Sequence, residues 1–195
     1  MIATASLDLR NRLAETILRA LHDVAARDEL ARVASASEPP WLAGAPAEQV
    51  ALVRERARRA AETLDRCPSW PIEPSLDEAL AAAALLFDAG LHFEVHELLE
   101  PYWMRSEGVE RQALQGLIQI AVGYQHLANG NLAGARALLD EGARRLRAGR
   151  LAGVDLAPFA AAVAGEADRV GGEARSTVPQ FPRSHTRRDT KWISS

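Results

Sequence analysis

The chain has a single cysteine, Cys67, so no internal disulfide and no Cys-rich metal centre can form. A lone thiol fits a reducing compartment. Aromatic residues make up only 5% of the 195 positions, and β-branched runs are rare. That scarcity speaks against a sheet-based core, and the frequent alanines favour helices. No strong excess of charge is present: the formal net charge is −3, which gives nucleic acid no general electrostatic hold. Long hydrophobic runs are also missing. The longest charge-free stretch, 112–135, carries four glutamines, a histidine and two asparagines. It reads as a buried helix of a globular protein, because a membrane span needs about 20 predominantly apolar residues. Asp8, Arg10, Arg12 and Glu15 interrupt any apolar core of a secretion signal near the start. The expected address is the cytoplasm. Phosphate-binding glycine loops, dinucleotide fingerprints and Gly-x-Ser-x-Gly elbows do not occur.

What is present is helical periodicity. Leu9, Leu13, Ile17, Leu21 and Val24 recur at steps of three or four, predicting a helix from 6 to about 35. Pro46 suits the first turn of a second helix, reaching about Leu64. Pro68, Pro71 and Pro74 then end it, since none can donate a backbone hydrogen bond. Residues 1–70 are therefore expected to form a two-helix extension.

Beyond it, 75–172 reads as a bundle of about five helices. Ser75-Leu-Asp-Glu78 is a capping-box pattern. Gly90 ends the first of these helices, which reaches about Ala89, and the next covers about 92–105. The third runs from about 109 to 129 and stops at Gly130, the fourth follows Asn131 to about Ala148, and the fifth follows Asp155 to about Val170. A shift of 40 residues lays Gly90 on Gly130, Leu98 on Leu138, Leu99 on Leu139 and Glu100 on Asp140. Both segments read helix, glycine turn, helix, so the expected fold is all-α, built from repeat-like hairpins. Residues 173–195 are polar, with five Arg/Lys against two acids, and are expected to form a disordered tail. Trp192 there could pack onto a neighbour.

The chemistry concentrates in "LHFEVHELLEPYW", residues 91–103. With His92 set at zero on a helix, His96 falls at about 40°, Glu100 at about 80° and Trp103 at about 20°. Glu94 and Glu97 fall on the far side, where solvation is expected. On the following helix Gln112, Gln115, Gly116, Gln119, Gly123 and His126 share about 100° of arc. A stripe with no formal charge suggests contact with something polar inside the protein. Gly116 and Gly123 would let a helix or ligand approach closely. Only about three residues join the two helices, so they pack antiparallel and His126 comes back toward His92 and His96. His96, Glu100 and His126 form the candidate metal set, with His92, Gln119 and Trp103 as further candidates. Imidazoles with one carboxylate suit zinc, iron or manganese. His96-Glu97-x-x-Glu100 also approximates a zinc-protease helix, but Glu100 stands where that motif needs its second histidine.

Phe87-Asp-Ala-Gly90, then Phe93-Glu94-Val-His96-Glu97-x-Leu-Glu100-x-x-Trp103, then Gln115-Gly-Leu-Ile-Gln119 and His126, resemble the domain of unknown function 309 family over roughly 75–170. The resemblance implies a small, all-helical prokaryotic protein for which metal binding has been suggested and no reaction is established. The family signature of His, Glu, Trp and a later His falls on His96, Glu100, Trp103 and His126. Pro101 departs from it by placing a helix breaker inside the motif, and His92 stands where an aromatic is common.

Three functional readings stay open at this point. One is a divalent-metal site, with a metal-dependent hydrolase as its boldest form. Another is a helical-hairpin interaction module, with a protein partner or a second copy of the chain, in which the His/Glu cluster is a structural hydrogen-bond network. The third is that the His/Glu cluster only stabilises the bundle, and a pocket for an organic ligand stays open beside these.

Overall fold

The computed structural model describes residues 5–35, 39–67, 69–147, 149–172 and 177–183. Their architecture is all-α apart from one two-stranded hairpin. The helices are α1 (Leu7–Arg19), α2 (Val24–Ala34), α3 (Ala47–Asp65), α4 (Leu76–Asp88), α5 (His92–Arg105), α6 (Gly108–Ala128), α7 (Leu132–Leu146) and α8 (Ala157–Arg169). A 3-10 turn, Pro40–Leu42, precedes α3. Strands β1 (Arg150–Leu151) and β2 (Val154–Asp155) pair antiparallel between α7 and α8.

Among the described residues, three α-helices rather than two precede residue 75, and α4 to α8 follow it. The expected helix over 6–35 breaks after Arg19. Asp23 restarts it by accepting a hydrogen bond from the Ala25 amide at 2.8 Å. Arg27 pins the turn, donating to the carbonyls of Ala20 (2.8 Å) and Cys67 (3.1 Å). A side chain that caps a new N-terminus outweighs continued apolar spacing.

Local signals set the bundle boundaries. At the start of α4 the Ser75 hydroxyl accepts from the Glu78 amide, and the Glu78 carboxylate accepts from the Ser75 amide. Gly90, at φ +72°, turns the chain into α5. Asn131 caps α7 by accepting from the Gly134 amide at 3.0 Å. The expected cap of α8, Asp155, lies instead in β2: it accepts from the Ala157 amide at 3.0 Å, but the N-cap position is Leu156, which has no side-chain capping bond. Pro101 does not end α5, which continues to Arg105.

α6 and α7 pack most closely. A Cβ on Gly116 would lie 2.7 Å from Leu146, and one on Gly123 would lie 2.9 Å from Leu139. The partner of the glycine stripe is thus a helix. α5 packs antiparallel to α6 on another side, α1 lies against α5, and α3 lies against α4. The buried apolar core runs without a break from Leu9 of α1 to Phe181.

Phe181 corrects the reading of 173–195 as a disordered tail. Residues 177–183 are seated on the bundle, with Phe181 buried against Phe87 and Phe159. Trp192 lies outside the described residues. Among the described residues, no helix is long and apolar enough to cross a membrane.

Candidate functional site on α5

α5 is two helices in one. In its first turn every side is covered: His92, Phe93, Glu94 and Val95 are all buried. From His96 onward Leu99 is buried and Leu98, Tyr102 and Trp103 pack half-buried against the core, while Pro101, Met104 and Arg105 are exposed. The cover over the first turn comes from the extension. Arg10 of α1 lies 4.1 Å above the Phe93 ring, and Arg56 of α3 reaches Glu94.

Glu94 is therefore the main correction to the helical-wheel reading. Instead of facing solvent it is 0% exposed, and Arg56 Nη2 donates to both carboxylate oxygens at 2.8 and 2.7 Å. A carboxylate with no access to water persists only when paired. A wheel drawn for α5 alone could not register a cationic neighbour brought in by α3. The one sequence hint was the arginine-rich run Arg54–Arg59, opposite in sign to this acidic helix.

His92 is buried as well. Its ring meets Phe87 edge-on at 4.9 Å and tilts over Tyr124 at 5.5 Å. Nε2 has no hydrogen-bond partner. Burial, helped by the charges of Arg56 and Arg59, pushes its pKa down to about 4, so the ring is neutral near pH 7.

His96, Glu97 and Glu100 form one group, with a ligand atom from each within 4.8 Å of the others. His96 Nδ1 is 3.3 Å from Glu97 Oε1, and Nε2 is 3.9 Å from Glu100 Oε2. Their side chains are 26%, 37% and 43% exposed, so the group is open to water. Glu97 was expected to point away from His96; adjacent long side chains instead bend around the ring.

The structure does not bring His126 into this group. Its Nδ1 is 2.9 Å from the Asn131 amide nitrogen, at the turn into α7. Gln119 accepts from Arg145 Nε at 3.1 Å, and Gln112 accepts from the same guanidinium. The uncharged stripe of α6 is thus satisfied largely by α7. Trp103 packs at the far end of α5, with the Arg111 guanidinium 4.2 Å above its ring and donating to its carbonyl.

Glu97 also lines a half-open cavity of about 460 Å³. Its walls are the end of α1 (Leu18) with the turn after it (Leu21), the segment around Trp70 and Ile72, α4 (Ala79, Ala82) and α5 (Leu98, Tyr102). Tyr102 fixes one wall by donating to the Pro74 carbonyl at 2.6 Å.

The donor set fits a divalent cation by its chemistry. One imidazole nitrogen and a carboxylate one turn away can share an ion, while a second carboxylate on the other ring nitrogen orients the ring. Two or three ligands on a water-exposed helix leave further positions open.

Comparison with known proteins gives one match. Residues 80–138 fit the family described as a domain of unknown function (DUF309), a stretch from within α4 into α7 that holds His96, Glu97, Glu100, Trp103 and His126. No curated protein and no solved structure matches the chain.

Proposed function

We propose, taking residues 80–138 as a domain of the DUF309 family, that this domain binds a divalent cation on the open face of α5. The observation that carries this reading is the His96 ring standing between Glu97 and Glu100, one carboxylate at each nitrogen. Glu100 and Nε2 hold the ion, and the Glu97 carboxylate, 3.3 Å from Nδ1, orients the ring and raises the basicity of Nε2. Zinc, manganese or iron(II) suits the set. Water on the open positions would be acidified by the ion, the first requirement of a hydrolase.

The test is titration of the purified chain with zinc, manganese and, anaerobically, iron(II), followed by calorimetry. The expected result is one ion per chain, with affinity lowered at least about tenfold by His96→Ala and by Glu100→Gln, the range seen when a ligand or its partner is lost. His126→Ala should leave affinity unchanged. Equal binding by wild type and His96→Ala would remove the proposal.

The cavity beside Glu97 favours a second reading, an interaction module. Leu18, Leu21, Trp70, Ile72 and Leu98 give the cavity a concave apolar face, with Ile72 80% exposed. Capture of a partner that survives chelation and is lost on Ile72→Glu would support that reading over the first.

A further inference from the structure

The half-open cavity beside Glu97 lies where two parts of the chain meet. Leu21 and Trp70 come from segments outside 80–138, and Leu98 and Tyr102 come from α5 inside it. The first two are buried and the last two half-buried, so the floor is apolar and partly aromatic. Hydrogen bonds hold both sides in place. The Trp70 amide donates to the Leu21 carbonyl at 2.8 Å, and the Tyr102 hydroxyl donates to the Pro74 carbonyl at 2.6 Å. A ready-made cleft of about 460 Å³ at such a junction is the usual form of a small-ligand site.

Its charges are arranged along α5. Glu97, Leu98, Pro101, Tyr102 and Arg105 all line the cleft, so one stripe of the helix runs its length, with an acid at one end and a base at the other. Eight residues, about 12 Å of helix axis, separate the two. Arg105 shortens the gap: its Nε donates back to the Pro101 carbonyl at 3.0 Å, and its guanidinium stands 5.2 Å from the centre of the Tyr102 ring. Among the described residues no carboxylate pairs with it. Glu97 has only the His96 ring, 3.3 Å from one of its oxygens. Arg19, also on the lining, is instead held by Glu29 at 2.6 Å. Glu73 and His22 belong to the other walls.

We propose that this cleft binds an elongated zwitterion with an apolar middle, the size of an apolar tripeptide with free ends, its carboxylate on Arg105 and its ammonium on Glu97. Three extended residues span about 10 Å, which matches the shortened gap. The guanidinium fork suits a carboxylate, and the apolar middle lies on Leu98, Tyr102 and Trp70. The proposal deepens the reading of this cleft as an interaction site and rests on it. His96 and Glu100 take no part, so it stands whether or not α5 binds a cation.

The test is calorimetric titration of the full chain, with a chelator present, using trileucine, its N-acetyl form and its C-terminal amide. Trileucine should bind, and each blocked form should bind at least about fivefold more weakly, the worth of one charge-assisted hydrogen bond in a partly open site. Arg105→Gln should weaken trileucine by the same factor and leave the amide unchanged. Glu97→Gln should weaken trileucine likewise and leave the acetyl form unchanged. His96→Ala should leave all these affinities as they were. ω-Aminononanoate, similar in length and without peptide bonds, separates two sources of this chemistry: binding equal to trileucine marks any linear zwitterion as the ligand, and weaker binding marks a peptide. Equal binding of free and blocked peptides, even if lost on Ile72→Glu, would overturn the proposal while leaving the cleft an interaction site. No binding of trileucine, or an effect of Arg105→Gln as large on the amide as on the free peptide, would overturn it as well.

Discussion

Glu94 and Glu97 sit three residues apart on α5 and have opposite fates. Glu94 is sealed from water and held at both oxygens by Arg56, while Glu97 is over a third exposed and leans on a histidine ring. The amino acid is the same and so is the helix. What differs is that Arg10 of α1 and Arg56 of α3 reach over the first turn of α5, while later positions such as Pro101, Met104 and Arg105 are exposed. An acid under that cover needs a cation to persist, and an acid beyond it is free for a ligand.

The contrast is broken most forcefully at its buried end. Arg56→Ala leaves Glu94 as an uncompensated charge and should cost about 3–5 kcal/mol. Urea denaturation measures it. A loss below about 1 kcal/mol would mean that Glu94 gains water or a new partner, and that the two ends of α5 are less different than described.

Acid strikes the same buried end through His92. Its folded pKa lies near 4, below the ordinary 6.5, so between these values the unfolded chain binds more protons than the folded one. Stability is therefore full above about pH 6.5 and falls as pH drops toward 4, by on the order of 3 kcal/mol over the window. Replacing the histidine by phenylalanine should remove this share of the pH dependence. Midpoints for wild type and His92→Phe at pH 7 and pH 5 check it: an unchanged difference between the two pH values would show that His92 does not titrate in this way.

The α6–α7 contact gives a smaller effect by packing alone. A Cβ on Gly142 would stand 2.8 Å from the Gly116 carbonyl oxygen and 2.7 Å from Ile120. Gly142→Ala should lose about 1–3 kcal/mol by overpacking, offset slightly by better helix propensity. Thermal melts decide this, and a stabilised variant would show that the two helices can separate without penalty.

The open end should respond least. His96→Ala removes a half-exposed side chain with no strong anchor, so stability should change by no more than about 0.5 kcal/mol. A drop comparable to that of Arg56→Ala would make the His/Glu group a structural network, and the asymmetry of α5 would disappear.

Much of this was legible in the sequence where the cause is local. The capping box at Ser75, the stop at Gly90 and the cap at Asn131 depend on side chains within three or four residues of the backbone they serve. The closeness of His96 and Glu100 follows from one helical turn. The turn of the hairpin was missed because it places Ala152 at φ +48°, a conformation the residue type does not announce. The seating of Phe181 was missed because it stands between Pro179-Gln180 and Pro182-Arg183, where a single aromatic has no periodicity to detect. His126 was assigned to the wrong partner: antiparallel packing fixes which helix ends meet, but not which face of α6 turns toward α5.

By itself, then, the order of residues determined that the chain is helical, where most of its helices begin and end, and which segment holds the imidazoles and carboxylates. These follow from hydrogen bonds and apolar spacing that act within a few turns. Only the tertiary structure decided which acid is buried, which histidine is neutral, and that α7 rather than α5 meets the stripe of α6. Those outcomes depend on groups from distant segments, Arg56 on Glu94 and Arg145 on Gln119, and the electrostatic cost of burial exists only once another part of the chain has excluded the water.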